Sequence, residues 1–380
     1  MLVISDALSK AGYEIKVIYP DCYSPSFAEE PFTWGPNISF RPVSCASGQY
    51  YATFPYVWGD EFHAAVSEER PYAFHSHDLN TALVALSAAQ VAGAYCICDF
   101  HEWYSENVSW DAEKQAWSEH PSDKKEIYQA LERLVLSRAN GVVTVSDSIA
   151  DAIRDELSST QRRPTVIRNV PNFEFVGRSG EFDVKKEIGV SPDTFVVLWQ
   201  GGIGPSRMLE PVIEAFQYLP NAVFAIRTPY WEAFGEPYEV LAKELGIEDK
   251  IFRLKGVPSA KIVESASGAD CGLWTLPNPC RNFYLALGNK IFEYLAAGLP
   301  ILVANYPEAR RVVEGHDVGL MFDPYDPKAI AESIRTLQDD TAGRTRMQQN
   351  AKIALAALDA DREWDKLVAL YDEIGQRHIA

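Results

Sequence analysis

Long apolar runs are missing from the 380-residue sequence, and so is any excess of positive charge. No apolar stretch approaches the roughly 20 residues that a membrane-spanning helix needs, and no signal peptide is visible, so we expect a cytoplasmic protein. The 53 acidic side chains outnumber the 35 basic ones, which gives a formal net charge of −18. Without a Lys/Arg cluster to follow a phosphate backbone, we expect no nucleic-acid partner. A local basic patch would still permit peripheral contact with the inner membrane face.

The sequence also lacks paired Cys-x-x-Cys motifs, short-period repeats and low-complexity tracts. Two of its cysteines, Cys96 and Cys98, fall within an apolar, strand-like segment. We interpret the thiols as reduced and buried rather than as metal ligands or disulfide partners. The six cysteines are Cys22, Cys45, Cys96, Cys98, Cys271 and Cys280.

What is present is an ordinary globular composition, with 47% apolar and 23% charged residues. A chain of this length exceeds what a single core usually fills, so two domains are expected. Strand-like and helix-like segments alternate in both halves, which predicts parallel, doubly wound α/β sheets. We place a first domain at residues 1–172 and a second at 173–360, with a C-terminal helix at 361–380 that crosses back to the first.

Hydrophobic periodicity predicts the individual elements as well. In the first half the strands are predicted at 14–19, 72–76, 94–100 and 141–145, and the helices at 1–10, 79–92, 124–138 and from 148. In the second half the strands are predicted at 195–199, 223–227, 251–254, 271–274 and 301–304. One helix is predicted to begin at about 206 and another to extend through 241. Further helices are predicted at 259–267, at 290–297 and from 327. Residues 21–59 are predicted as an aromatic- and proline-rich loop region.

A glycine-rich turn follows the predicted strand at 195–199, where ligands of open α/β sheets bind. It contains Gly201, Gly202 and Gly204 and ends at Arg207. Glycines let the backbone approach a phosphate, a helix N-terminus favours negative charge, and the Arg207 fork suits phosphate oxygens. A plain tight turn explains the pattern equally well. No Gly-Lys-Ser/Thr follows, so this is not a Walker loop.

A predicted helix in the second half carries a candidate ribose ligand. Asn289 is expected to cap its N-terminus, and Gly298 lies just beyond its end. Ile291 and Leu295 share one face, which leaves Glu293 on the opposite side. The Glu293 carboxylate could accept both hydroxyl protons of a ribose, although the pattern alone favours a solvated surface residue.

Two predicted strands of the first half end in a histidine followed by an acid. One ending reads His75-Ser76-His77-Asp78 and the other Asp99-Phe100-His101-Glu102. These pairs could form a polar cleft, or Asp78 could cap the next helix while the histidines pack in a core. A metal-dependent hydrolase is a further alternative, since histidines at i and i+2 of a strand share one face. Its ligands would come from His75, His77, Asp78, His101 and Glu102.

Together these segments resemble the retaining glycosyltransferases of family 4, which have the GT-B fold: two Rossmann-like, doubly wound α/β domains facing across a cleft. The resemblance covers nearly the whole chain, and its most specific part is the run from Asn289 to Tyr294 with Gly298-Leu299-Pro300. The other matching segments are 75–82, 99–102, 146–149, 168–172 and 201–210.

The resemblance implies transfer of a sugar from a nucleotide diphosphate sugar, UDP- or GDP-linked, to an acceptor with retained anomeric configuration. The acceptor would be a glycan, a lipid-linked sugar or a small molecule, and neither a metal nor another cofactor would be obligatory. By position, the resemblance assigns donor binding to Gly201, Gly202, Arg207, Asn289, Lys290 and Glu293, catalysis to His77 and Asp78, and the acceptor side to His101 and Glu102.

The sequence departs from the family pattern in three places. The Glu that often precedes the ribose-binding one by seven residues is absent, and that neighbourhood reads Asn282-Phe283-Tyr284-Leu285. Gly202 stands where a basic residue is expected five positions before Arg207. The chain also begins inside what resembles the first helix, without the usual opening strand and glycine-rich loop. A nucleotide-binding or scaffold homologue with impaired catalysis is therefore the alternative to an active enzyme.

Aromatic residues offer a candidate acceptor surface. They comprise the stretch at 50–58 together with Trp103, Trp110 and Trp117. Sugar faces pack on aromatic rings, so these side chains could line a carbohydrate site, and they could equally belong to the core.

Overall fold

The computed structural model describes residues 2–20, 37–43, 71–111, 113–114, 116–157, 162–168, 170 and 182–376. The strands are β1 (Ile15–Pro20), β2 (Ile38–Val43), β3 (Ala73–His77), β4 (Tyr95–Phe100), β5 (Val108–Asp111), β6 (Ala116–Glu119), β7 (Gly141–Thr144), β8 (Thr165–Val166), β9 (Phe195–Gln200), β10 (Ala222–Thr228), β11 (Ile251–Lys255), β12 (Cys271–Trp274), β13 (Ile301–Ala304) and β14 (Gly319–Phe322). The helices are α1 (Leu2–Lys10), α2 (Leu79–Ala92), α3 (Ser122–Arg138), α4 (Asp147–Glu156), α5 (Val184–Glu187), α6 (Glu210–Ala215), α7 (Trp231–Phe234), α8 (Glu236–Glu244), α9 (Arg281–Tyr284), α10 (Asn289–Ala296), α11 (Pro307–His316), α12 (Pro327–Asp339), α13 (Thr341–Ala357) and α14 (Ala360–Gln376).

The described residues form two compact units. Unit 1 draws on Met1–Asn107, His120–Arg168 and Asp361–Ala380, and unit 2 on Val108–Glu119 and Asn169–Ala360. None of the described helices is long and apolar enough to cross a membrane.

Unit 1 is built on a parallel four-stranded sheet in the order β3-β4-β7-β8, and β1 and β2 form a separate parallel pair. The C-terminal helix α14 belongs to this unit because its apolar face completes the unit's core. Leu367, Tyr371 and Ile374 are buried there in one cluster with Ile97 and Val143. Burial of each such side chain stabilises the fold by about 1.5–3 kcal/mol, which ties the chain's last helix to sheet strands from its first half.

Unit 2 is built on a parallel six-stranded sheet in the order β11-β10-β9-β12-β13-β14. In chain order this is 3-2-1-4-5-6, so the direction of strand addition reverses between β9 and β12. Every residue of β9 is buried, as expected for a strand covered by helices on both faces. The reversal opens a crevice at the carboxyl ends of β9 and β12, which is where ligands of doubly wound sheets bind.

Tyr294 fixes helix α10 against that edge of the sheet. Its ring lies over Gly272 of β12, where an added Cβ would come within 2.1 Å of the ring. Its hydroxyl accepts a hydrogen bond of 3.0 Å from the backbone N–H of Gln200, the last residue of β9. A single side chain thus joins α10 to both strands that flank the crevice.

An antiparallel hairpin, β5–β6, is part of unit 2 although residues on either side of it belong to unit 1. Trp110 and Trp117 pack across the hairpin with ring centroids 5.2 Å apart, and Trp117 also meets Phe283 of α9 at 5.3 Å. Trp103, by contrast, is 1% exposed and belongs to a core. The aromatic stretch at 50–58 lies outside the described residues.

Most predicted elements are present, and several have the predicted bounds, among them α2, β12 and β13. Others need correction. The helix expected from about 206 begins only at Glu210, because residues 205–207 form a turn and Met208 adopts a φ of +48°. The helix expected at 259–267 is two short 3₁₀ turns, because the Ser265 hydroxyl bonds the Ile262 carbonyl and Gln200 instead of solvent. Within the predicted loop region 21–59, residues 38–43 form β2.

Several further elements had no sequence prediction, among them the β5–β6 hairpin, α11 and β14. Each of β5, β6 and β14 has four residues, too few for periodicity to identify. Among the cysteines, Cys96, Cys98 and Cys271 are buried free thiols, whereas Cys280 is only half-buried. Cys22 and Cys45 lie outside the described residues.

Candidate functional site

The glycine-rich turn after β9 presents free backbone N–H groups. Gly201 and Gly204 have φ angles of +106° and +110°, which side chains other than glycine rarely adopt. The turn is held by the Trp199 indole N–H, which donates to the Gly202 carbonyl at 3.1 Å, and by the Tyr238 hydroxyl, which accepts from the Gly204 N–H at 3.0 Å. In the described part of the chain, the N–H groups of Gly202 and Ile203 have no hydrogen-bond partner.

Two cations stand beside this turn. The Arg207 guanidinium donates to the Ser206 carbonyl at 2.9 Å and to its hydroxyl at 3.1 Å. The Lys290 Nζ lies 4.8 Å from the centroid of the Trp199 ring, and its stem packs where a Cβ on Gly201 would be. Among the described residues, neither Arg207 nor Lys290 has a carboxylate within ion-pair distance.

The protonation of these cations reflects their burial. Desolvation lowers the pKa of Arg207. Desolvation, together with the neighbouring Arg207 charge, lowers the pKa of Lys290 to about 8, although the Glu293 carboxylate attracts its proton. Two desolvated cations that repel one another create a strong local attraction for an anion.

Glu293 lies on α10 and is half-buried, while Ile291 and Leu295 on the opposite face are fully buried. Burial raises the pKa of Glu293, and the Lys290 charge opposes that shift. Glu293 is therefore not the fully solvated surface residue that the pattern alone favoured.

The expected capping role of Asn289 is wrong. Gly288 occupies the N-cap position and Asn289, which is exposed, is the first helical residue, with no capping hydrogen bond from a side chain. Gly288 takes this place because it packs under Trp274, where a Cβ would lie 2.0 Å from the indole nitrogen. Gly298 follows the helix in a left-handed conformation with a φ of +70°, as predicted.

In unit 1, three histidines surround the buried carboxylate of Asp99. Parallel pairing places His77 of β3 directly opposite Asp99 of β4. The Asp99 Oδ2 atom lies 3.1 Å from His101 Nε2, 3.5 Å from His77 Nδ1 and 3.9 Å from His75 Nε2. Burial opposes the charge of Asp99, but its interactions with the three imidazoles, the largest of them with His101, outweigh burial and hold the pKa of this carboxyl well below its usual range.

The two histidines nearest the carboxylate respond in opposite directions. Desolvation lowers the pKa of His77 to about 4, and the Asp99 hydrogen bond offsets this only in part. For His101, desolvation is outweighed by its hydrogen bond to Asp99 and by the charges of Asp99 and Asp78, so its pKa is raised. His101 is thus the better proton carrier of the two.

Asp78 has a strained backbone, with a φ of +66°. It precedes α2, yet its side chain forms no capping bond with the helix; instead its Oδ1 atom accepts from the His101 N–H at 3.3 Å. Burial raises the pKa of Asp78 to about 6. Burial also raises the pKa of Glu102, whose Oε2 atom accepts a hydrogen bond of 2.6 Å from Asn107. The contacts of two histidines with Asp99 and the hydrogen bond from the His101 N–H to Asp78 bring His77, Asp78 and His101 together.

Two residues of this cluster had no predicted role. Asp99 stood within a matched motif, and its signal was an acid at the end of an otherwise apolar strand. Tyr371 of α14, whose hydroxyl lies 2.9 Å from His75 Nδ1, carries no local signal at all.

The chain matches two protein-family models. Residues 2–170 match the glycosyl transferase 4-like domain, and residues 182–354 match the glycosyl transferases group 1. The chain belongs to the group 1 glycosyltransferases. The predicted family and the predicted α/β fold class with Rossmann-like units are therefore confirmed.

Relatives of this glycosyltransferase include D-inositol 3-phosphate glycosyltransferases. That of Corynebacterium glutamicum (strain R) is 28% identical over 175 residues, which cover 44% of this chain and 40% of that protein. That of Geodermatophilus obscurus is 22% identical over 360 residues, covering 86% and 77% of the two chains. The chain spans less than half the length of the relatives from C. glutamicum and Thermomonospora curvata, 40% and 46% respectively.

Solved structures share the fold. Sucrose-phosphate synthase from Thermosynechococcus elongatus superposes with a TM-score of 0.77 at 16% identity, over 99% of this chain and 92% of that one. HepE from Anabaena, in complex with UDP and glucose, superposes with a TM-score of 0.65 at 16% identity, over 90% and 86%.

Proposed function

We propose that this glycosyltransferase transfers a sugar from a nucleoside diphosphate sugar to a carbohydrate, glycolipid or small-molecule acceptor, with retention of anomeric configuration. The observation that carries the proposal is the charge imbalance at the crevice of unit 2. Arg207 and Lys290 are partly desolvated, have no carboxylate within ion-pair distance among the described residues, and stand beside the unpartnered N–H groups of Gly202 and Ile203. Desolvated charge without a counterion is costly, and a bound anion removes that cost.

A diphosphate fits this arrangement better than a single carboxylate does. Phosphate oxygens accept hydrogen bonds from successive backbone N–H groups and from a guanidinium fork at the same time. During sugar transfer the departing diphosphate gains negative charge, and preorganised donors stabilise that charge without rearrangement. Gly201, Gly202, Arg207 and Lys290 are therefore assigned to the diphosphate.

Glu293 is assigned to the donor ribose. A carboxylate can accept two hydrogen bonds from adjacent hydroxyl groups, and half-burial on a rigid helix keeps it in place for that purpose. Asn289 begins the same helix and contributes an N-terminal N–H group to the same edge. The base is uracil or guanine, and a UDP-sugar is supported by the similarity in fold to HepE, whose structure contains UDP.

In unit 1, His77 and Asp78 are assigned to catalysis, and His101 and Glu102 to the acceptor side. Support comes from the cluster around Asp99, where His101 favours a bound proton while Asp78 can titrate near neutral pH. Groups whose pKa values are separated in this way can divide acid and base roles. No metal takes part in this proposal.

Thermal shift and calorimetry with UDP and GDP test the donor site. At a hundredfold excess over the dissociation constant, the nucleotide should stabilise the protein by about 2.7 kcal/mol. Glu293→Ala should abolish or greatly reduce the shift, whereas Glu332→Ala, an exposed carboxylate of the same unit, should leave it unchanged. Absence of a shift with either nucleotide would refute the donor site.

Turnover separates the active enzyme from its alternative. Incubation with a panel of UDP- and GDP-sugars and acceptors should release nucleoside diphosphate and form a product whose anomeric configuration nuclear magnetic resonance can assign. Nucleotide binding without hydrolysis or transfer across the panel would favour a scaffold or nucleotide-binding homologue. A product of inverted configuration would contradict retention.

A further inference from the structure

The three histidines around Asp99 have the arrangement of a metal-ligand set. His75 and His77 lie two residues apart on β3 and therefore share one face, while Asp99 and His101 end the neighbouring parallel strand. Ligand atoms of His75, His77 and Asp99 all lie within 4.8 Å of one another. His101 adds a fourth, since its Nε2 atom is 3.1 Å from Asp99 Oδ2 and 3.3 Å from His77 Nδ1.

The distances from Asp99 Oδ2 lie near those of a tetrahedral ion. Zinc bonds of about 2.0–2.2 Å to nitrogen and oxygen place neighbouring ligand atoms roughly 3.3–3.5 Å apart. The separations from Asp99 Oδ2 are 3.1, 3.5 and 3.9 Å for His101, His77 and His75. The ligand atoms of His75, His77 and Asp99 lie within 4.8 Å of one another, so these side chains would close by up to roughly 1.5 Å to bind one ion.

Hydrogen bonding alone leaves the cluster incompletely satisfied. Asp99 Oδ1 and His75 Nε2 are both buried, and neither has a hydrogen-bond partner. The other ring nitrogen of His75 already faces the Tyr371 hydroxyl at 2.9 Å. If His75 Nε2 carries no proton, its lone pair faces the Asp99 anion; if it does, its donor bonds to nothing within 3.5 Å. A cation bound by His75 Nε2 and Asp99 Oδ2 removes the difficulty at His75.

The surroundings also suit a bound ion. Metal-ligating histidines usually form a hydrogen bond through their second ring nitrogen, which fixes the ring, and Tyr371 does this for His75. Asp99 is 2% exposed, whereas the His101 side chain is 29% exposed, so the cluster opens towards solvent on that side. Three imidazoles and one carboxylate favour a borderline transition metal over Mg²⁺ or Ca²⁺.

We propose that His75, His77, Asp99 and His101 bind one Zn²⁺ ion, and that the bound ion inhibits the enzyme. Four protein ligands close the coordination shell and leave no position for a reactive water, so this is not the centre of a metallohydrolase. The inhibition rests on the proposed function, because it follows from the engagement of His77 by the metal during sugar transfer. The binding of Zn²⁺ does not depend on that function.

Zinc binding is tested by calorimetry on tag-free, chelator-stripped protein with ZnCl₂ and no nucleotide. We expect one Zn²⁺ per chain, and we expect His75→Asn to weaken binding by at least about a hundredfold and Tyr371→Phe by about tenfold. His120→Asn, which alters a histidine outside the cluster, should bind as the unmodified protein does. Circular dichroism verifies that each variant is folded.

Cobalt substitution tests the geometry without any mutation. Co²⁺ bound in place of Zn²⁺ should give the intense visible absorption of four-coordinate cobalt, and the weak spectrum of a six-coordinate ion would overturn the site. Failure to bind Zn²⁺ stoichiometrically, or binding that both His75→Asn and Tyr371→Phe leave unchanged, would also overturn it. Full-rate sugar transfer with the site loaded would overturn the inhibition. Nucleotide binding measured in EDTA reports separately on the proposed function.

Discussion

Raising the pH from 7 to 9 should weaken UDP binding through the loss of one charge, that of Lys290. Burial and the Arg207 charge lower the pKa of Lys290 to about 8 in the free protein. A bound diphosphate supplies the missing counterion, so the pKa of Lys290 in the complex should rise towards its ordinary value of 10.5. Affinity is then fully present below pH 8 and is lost as the pH rises through 8.

The size of the effect follows from linkage. At pH 9, one unit above a pKa of about 8, roughly one free protein molecule in ten keeps Lys290 charged, whereas nearly every complex does. The dissociation constant for UDP should therefore increase roughly tenfold between pH 7 and pH 9, which corresponds to about 1.4 kcal/mol. Isothermal titration calorimetry in buffers matched for ionic strength measures it directly.

Lys290→Arg is the matched control, because arginine stays charged over the whole range. Its pH profile contains only the titration of the nucleotide and of other groups, and the ratio of the two profiles isolates Lys290. Lys290→Ala should bind UDP weakly at pH 7, and its affinity should change with pH in the same way as that of Lys290→Arg. If the unmodified protein and Lys290→Arg lose affinity in parallel, the assignment of Lys290 to the diphosphate is refuted.

Two further predictions concern stability. Burial raises the pKa of Glu132 to about 7, so ionisation of this carboxyl above that pH destabilises the folded state. Glu132→Gln should therefore stabilise the protein, as measured by urea denaturation, by up to about 3 kcal/mol at pH 8.5 and by much less at pH 5. An equal gain at both pH values would contradict this. Tyr294→Phe removes the acceptor of the buried Gln200 N–H and should cost about 1–3 kcal/mol in the same assay; an unchanged midpoint would show that the bond contributes nothing.

Elements with strong periodicity could be predicted because the signal is contained in the element itself. The helix α2 combines an apolar face with a terminating Gly93, whose φ of +67° suits the left-handed C-cap. By contrast, β14 has four residues, and in the 3₁₀ turns after Pro258 the Ser265 hydroxyl donates a hydrogen bond to Gln200 of β9. A partner 65 residues away is invisible to a local pattern.

The candidate sites divide in the same way. Residues just beyond strand ends could be chosen from the sequence because parallel strands gather their carboxyl ends at one edge of a sheet. The pKa of Lys290 could not, because it depends on the burial of this side chain and on its distance to the Arg207 charge in the folded protein. The role of Tyr371 could not either, since α14 returns to unit 1 from the far end of the chain and reaches His75 only in the folded protein.

Because the net charge of the protein is −18, an anion can bind only where cations and hydrogen-bond donors lie close to it. At physiological ionic strength the screening length is about 8 Å, so charges farther away than this act only weakly on a bound diphosphate. Arg207 and Lys290 lie beside Gly202 and Gly201 of the turn, close enough together to act on one small anion, whereas a nucleic-acid backbone would extend beyond this group of donors. An acidic protein can therefore exclude polyanions and still bind one small anion tightly, provided that its few cations are desolvated and have no carboxylate partner.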